Sequence, residues 1–192
     1  MAKEKKLQII KAAEKRFARH GIHKTSLNEI ARDLRIGKAS IYHYFESKDE
    51  LYIASVEYEV NLLLEDIKTI FTVEESKIEE TLTNYLLIKE AVPQKYSMIY
   101  DTILFLLKDS GFENENALVK SLLEKEEVII KEALLSGFKS KIVPLNPKLP
   151  SFIVNLSWGM LFALKFNLMT NAGSKDQPAI LLKKAIEKIL DN

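Results

Sequence analysis

Between Thr25 and Lys48 the apolar residues fall on two short helical faces separated by a tight turn, and no strand alternation accommodates them. Ser26 and Glu29 stand in the pattern Ser-x-x-Glu, a capping box in which each side chain satisfies the other's orphan backbone N–H. The helix it opens carries Leu27, Ile30, Ala31 and Leu34 on one face and is expected to end near Arg35. Ile36 then plugs the turn, and Gly37 is read as the residue that permits the sharp change of direction. A second short helix follows from Lys38 to His43. Ile41 and Phe45, four apart, point inward and leave Lys38, Ala39, Ser40, Tyr42 and His43 outside.

The outward set suits DNA. A recognition helix presents its N-terminal residues to base edges while its neighbours grip phosphates. Ala39 is small enough to let the backbone approach. Ser40 and Tyr42 bring hydroxyls, Lys38 a charge and His43 ring N–H groups. Asn28, beside this helix, is within reach of a base or a phosphate. Ser47 with Glu50 forms a second capping box and puts Lys48 in the first turn of the next helix. A cation is unfavourable there, so Lys48 is read as meeting an external phosphate at the helix N-terminus. Tyr44 has two readings, core residue or phosphate contact, and His43 has a bland one as a solvated surface residue.

This run resembles the signature of the TetR family of transcriptional regulators. The resemblance rests on Thr25-Ser26, Ile30-Ala31, Ile36, the segment Gly37-Lys38-Ala39-Ser40-Ile41-Tyr42-His43-Tyr44-Phe45, and Ser47-Lys48-Asp49-Glu50-Leu51. It covers about the first quarter of the chain. Gly37 and Ala39 stand where the family more often carries Ser and Gly or Pro. The resemblance implies a DNA-binding set of Thr25, Ser26, Asn28, Gly37, Lys38, Ala39, Ser40, Tyr42, His43, Tyr44 and Lys48. It also implies a helix-turn-helix domain over 1–46 and a helical ligand-binding and dimerisation domain over 47–192.

Charge is divided in a way that agrees. Residues 1–50 hold 12 Lys and Arg against 7 Asp and Glu, a net of +5, and residues 51–192 hold 16 against 20, a net of −4. A basic head on a mildly acidic body is the footprint of one DNA-touching domain, although an asymmetry of this size also arises by chance. There is no cysteine, so disulfides and thiolate metal sites are excluded, which suits a cytoplasmic protein. The start, Met-Ala-Lys-Glu-Lys-Lys, has no apolar stretch behind it and is not read as a signal peptide. His20-Gly21-Ile22-His23 lacks a third ligand, so no metal is expected, nor any cofactor.

The rest reads as all-α, about nine helices in total. Leu7, Ile10, Ala13 or Glu14, and Phe17 mark a first helix over 3–20, with Gly21 as its left-handed cap. A long helix from Lys48 to about Thr72 carries more apolar surface than one face needs and links the two domains. Thr72-Val73-Glu74-Glu75 caps a fifth helix, which Pro93 breaks. A sixth ends near Gly111, a seventh spans Asn114 to Gly137, and the segment from Lys139 to Asn146 is a loop. An eighth runs from about Lys148 to Asn171, closed by Gly173, and a ninth begins at Asp176 and Pro178.

The eighth helix is apolar almost all round, so it is either buried on all sides or spans a membrane. Asn155, Ser157, Lys165 and Asn167 interrupt the run, which argues against a membrane. Burial in a homodimer through the last two helices is expected, as the resemblance also implies. The resemblance further implies a small-molecule effector in the body, with Tyr85, Tyr96, Tyr100, Phe105, Asn155, Trp158 and Phe162 as candidate contacts. Plain core packing is the competing reading for these aromatics. Asn155, Trp158 and Phe162 share a face by their spacing. Of the motifs of nucleophilic, metal-dependent or nucleotide-dependent catalysis none is present, so an enzyme is not expected. The expected function is a ligand-responsive repressor that binds a palindromic operator as a dimer. The alternatives are a DNA-binding regulator without a ligand, and an activator.

Overall fold

The computed structural model describes residues 2–71, 78–107, 113–137, 147–165 and 184. Eight α-helices and no strand occur among them: α1 (Ala2–Lys24), α2 (Leu27–Asp33), α3 (Lys38–Tyr42), α4 (Lys48–Phe71), α5 (Ile78–Lys95), α6 (Ser97–Leu106), α7 (Glu113–Gly137) and α8 (Leu149–Lys165). The ninth helix, the third capping box, the loop from Lys139 and the helix ends at Gly111 and Gly173 lie outside the described residues. Among the described residues no helix is long and apolar enough to cross a membrane.

The chain divides into two compact units that do not follow chain order. The first comprises Met1–Leu63 with Pro93–Lys120, and the second Leu64–Val92 with Ser121–Asn192. Each has its own apolar core. In the first, Ile9, Phe17, Ile30, Ile41, Phe45 and Leu51 are all essentially inaccessible to solvent. In the second, Leu82, Leu122, Ile130 and Ile153 are. Helix α4 contributes to both cores, which is why its apolar residues exceed one face.

One helix stripe and two helix ends differ from expectation. Helix α1 buries Ile9, Ala13 and Phe17 and leaves Leu7 exposed, so its stripe runs one register away from Leu7 and Ile10. Gly21 interrupts α1 with φ 75° and ψ 163°. That is the extended mirror region open to glycine alone, not a left-handed cap, and one further turn follows it. Pro93 sits inside α5 rather than breaking it. In the last turn a proline forfeits only the bond to the carbonyl four residues back, so the helix completes that turn at Lys95. Tyr96, with φ −128° and ψ 52°, then separates α5 from α6.

A buried carboxylate starts α6. Glu59 of α4 is 3% exposed, and its Oε2 accepts a hydrogen bond from the Ile99 N–H at 2.8 Å. Desolvation pushes this carboxyl up to about 7, against the backbone N–H groups of Ile99 and Met98, which favour the charged form.

Candidate nucleic-acid interface and a buried polar cluster

The helix-turn-helix is built from local bonds that the capping sequence dictates. The Ser26 hydroxyl accepts from the Glu29 N–H at 3.3 Å, and a Glu29 carboxylate oxygen accepts from the Ser26 N–H at 2.8 Å. This bond and the one from the Ser26 hydroxyl hold the Glu29 carboxyl below its ordinary range. Helix α2 ends in a Schellman motif: Ile36 N–H donates to the Ala31 carbonyl at 3.0 Å and Arg35 N–H to the Arg32 carbonyl at 3.1 Å. The left-handed residue this motif needs is Arg35, with φ 54°. Gly37, the residue expected to make the turn, has φ −71° and ψ 146°, ordinary extended backbone, and simply precedes α3. The turn is therefore made two residues earlier, by a side chain that bears the steric cost of the left-handed region.

Helix α3 buries Ile41, with Phe45 beyond its end, and turns its other face outward. Lys38, Ala39, Tyr42 and His43 are exposed, as is Asn28 on α2, and Ser40 and Tyr44 are half-buried. The Lys38 ammonium lies 5.3 Å from the Tyr42 ring centroid, so charge and hydroxyl stand side by side on the exposed surface. His43 and Tyr44 meet edge to face with ring centroids 5.1 Å apart. Two expected contacts are placed elsewhere. Thr25 is 2% exposed, its hydroxyl donating to the Gly21 carbonyl at 2.9 Å. The Lys48 ammonium donates to the Ile22 carbonyl at 2.9 Å and the Thr25 carbonyl at 3.4 Å. Its position in the first turn of α4 thus has an internal explanation: it neutralises the carbonyl end of α1.

One positioning residue was not legible in the sequence. Arg16 of α1 grips Asp33 of α2 with two bonds, Nε to Oδ2 at 2.6 Å and Nη2 to Oδ1 at 2.7 Å, and reaches Glu29 at 3.5 Å. The guanidinium bonds hold the Asp33 carboxyl below its ordinary range. This clamp ties α2 to α1 across the exposed surface of the head. Seventeen residues separate the partners, and no local pattern announces such a pair.

The second unit contains a different kind of site. Lys89 of α5 is 2% exposed and is ion-paired with Glu126 of α7, which is fully buried. Glu126 Oε1 also accepts from the Tyr85 hydroxyl at 2.6 Å, and its Oε2 accepts from Trp158 Nε1 at 2.9 Å. Tyr85 and Ser157 hydroxyls are 2.9 Å apart, and Ser157 donates to the Val154 carbonyl at 2.8 Å. Burial pushes the Tyr85 hydroxyl well above its ordinary value, aided by the Glu126 charge. Desolvation lowers Lys89 to about 8, with Glu126 opposing it. Phe162 stacks on Trp158 with centroids 6.3 Å apart.

Of the seven residues expected to line a ligand site, Tyr85, Trp158 and Phe162 come together here. Tyr96, Tyr100 and Phe105 belong to the first unit, where the two tyrosines are buried and Phe105 is exposed. Asn155 is on the exposed side of α8, away from buried Trp158, so their spacing does not give them a common environment. Lys89 and Glu126 were not expected. Their signal is a charge at a core position of an apolar stripe: Leu82, Tyr85, Leu86, Lys89 on α5 and Leu122, Glu126, Ile130, Leu134 on α7. A buried ion pair seldom adds net stability over apolar packing.

The family profile described as "Bacterial regulatory proteins, tetR family" matches residues 9–54, the three helices of the head and the start of α4. The HTH-type transcriptional regulator RutR of Escherichia coli O157:H7 is 24% identical over 190 residues, covering 96% of this chain and 86% of RutR. Two solved structures share the fold. The transcriptional regulator FadR of Bacillus subtilis in complex with stearoyl-CoA superposes with a TM-score of 0.59 at 19% identity, covering 96% of both chains. A transcriptional regulator of Saccharomonospora viridis in complex with choline gives 0.66 at 15% identity, covering 99% of this chain and 97% of that one. The head of the chain, residues 9–54, thus matches the TetR family of bacterial regulatory proteins, and the chain shares its helical fold with these two solved regulators.

Proposed function

We propose that this regulator, which is not an enzyme, is a cytoplasmic repressor that binds a near-palindromic operator as a homodimer and leaves it when a small lipophilic or aromatic molecule binds the body. The head, residues 1–46, enters the major groove with α3. Lys38, Tyr42, His43 and Asn28 make the polar contacts, while Ala39 and Gly37 allow close approach. Ser26, Ser40 and Tyr44 lie at the edge of the contact. Thr25 and Lys48 act from within by fixing the end of α1.

The observation that carries this reading is the exposed face of α3, where Lys38 and Tyr42 stand side by side while Ile41 is buried behind them. The stripe of Phe152, Asn155, Leu156, Gly159 and Met160 on α8, exposed or half-buried along its length, supports pairing through α8 and the segment after it. Two recognition helices held about 34–36 Å apart meet successive major grooves on one side of the duplex. The ligand is held in the second unit by Tyr85, Trp158 and Phe162. Fold relatives solved with stearoyl-CoA and with choline support a small-molecule effector without fixing its charge.

Selection from a random DNA pool at two salt concentrations tests the reading. A palindromic site is expected, lost in Tyr42→Ala and Lys38→Ala. Recovery of nothing but salt-sensitive, sequence-blind binding would reduce the head to an electrostatic patch and sink the proposal.

A further inference from the structure

We propose that Tyr85, Glu126 and Trp158 form an organic-cation site, in which the Lys89 ammonium is the resident occupant and a ligand's ammonium group takes its place. This deepens, and rests on, the reading that the second unit holds the effector.

The cation is held in an unusual manner. Lys89 Nζ lies 3.9 Å from the Trp158 ring centroid and 5.3 Å from that of Tyr85, and it is paired with Glu126. An ammonium carries three donors. Apart from its ion pair, this one has no hydrogen-bond partner among the described residues, and it is buried. It is held by one carboxylate and two aromatic faces, not by a set of directed N–H bonds. A site of that kind makes little use of N–H groups, so it also suits an ammonium that has none. Aromatic faces with a carboxylate are the chemistry that recognises quaternary and tertiary ammonium groups.

The anchors stay in place when Lys89 leaves. Glu126 keeps two bonds, from the Tyr85 hydroxyl and from Trp158 Nε1. Lys89 is the one member attached by a flexible four-carbon stem. Phe162, stacked on Trp158, extends the apolar wall for the body of a ligand. Charge decides between ligand classes. An anion entering here would sit beside Glu126 and leave an unpaired negative charge in a buried site, at a large desolvation cost. A cation that replaces the ammonium leaves the charge as it was. The lowered proton affinity of Lys89 supports the exchange, because its side chain can withdraw as a neutral amine at mildly alkaline pH.

Trp158 is the only tryptophan, so its emission reports on the site directly. The full chain is titrated with benzyltrimethylammonium and with the uncharged isostere in which carbon replaces the nitrogen. Saturable change with the cation, at least about tenfold tighter than with the isostere, is expected. Lys89→Ala removes the resident competitor and is expected to tighten the cation further, and Glu126→Gln to weaken it. The wild-type comparison stands even if a variant does not fold. Equal affinity for cation and isostere, no saturable response to the cation, or a Lys89→Ala chain that binds it more weakly would each overturn the proposal. Operator affinity is measured in the same samples. Release by an uncharged or anionic compound without cation binding sinks the cation site and leaves the effector reading intact. Cation binding at Trp158 with unchanged operator affinity supports the site and sinks the effector reading.

Discussion

Gly21 and Arg35 hold the two positive φ values among the described residues, at 75° and 54°, and they make opposite predictions. An added Cβ at Gly21 would meet nothing within 4 Å, so Gly21→Ala incurs conformational strain and no clash. A cost of about 1–3 kcal/mol is expected from that region of backbone space. Arg35→Gly removes the left-handed penalty of a residue that bears a side chain and is expected to stabilise the head by up to about 1 kcal/mol. Urea denaturation of the two variants checks both signs, and a stabilising Gly21→Ala would show that the kink is not needed. At this scale the sequence was half legible. The capping box at Ser26 is local and reads directly. Which residue of the Arg35-Ile36-Gly37 run turns left-handed is set by where the α2 carbonyls end, and there the presence of a glycine misled.

At the scale of elements, α6 depends on a carboxyl that another helix supplies. Glu59 has its proton affinity raised from 4.5 to about 7, chiefly by desolvation, with Glu14 and Asp101 adding to the rise. The folded state therefore binds this proton more tightly than the unfolded one. The resulting stabilisation is complete below about pH 4.5 and is lost as pH rises through about 7. The melting temperature of the wild type is expected to fall over that window relative to Glu59→Gln, whose amide oxygen still accepts from Ile99. Parallel pH profiles for the two proteins would refute the assignment. Helix existence was legible for α1 to α8 because periodicity is local, and Pro93 deceived only because a proline in a final turn breaks one bond, not a helix. Core charges on α5 and α7 were invisible as a pair: each looked like a flaw in its own stripe, and only packing puts Lys89 on Glu126.

At the scale of the molecule, the proposed dimer and its operator follow from exposed surfaces. Phe152 is 45% exposed on the α8 stripe. Phe152→Glu places two like charges near a twofold axis and is expected to yield monomers in sedimentation, with specific operator affinity lost and weak non-specific binding kept. A dimer that persists would place the interface elsewhere. Local sequence by itself determined the helices, the capping box at Ser26, the inward set of Ile41 and Phe45 and the outward set around Tyr42, because each depends on residues within a turn or two. Tertiary structure alone decided that Lys48 ties down α1, that Arg16 clamps α2, that the seven candidate ligand residues divide between two units, and that a lysine occupies an aromatic cage. Those features are contacts between residues far apart in the chain, and no period along it records which partners the fold brings together.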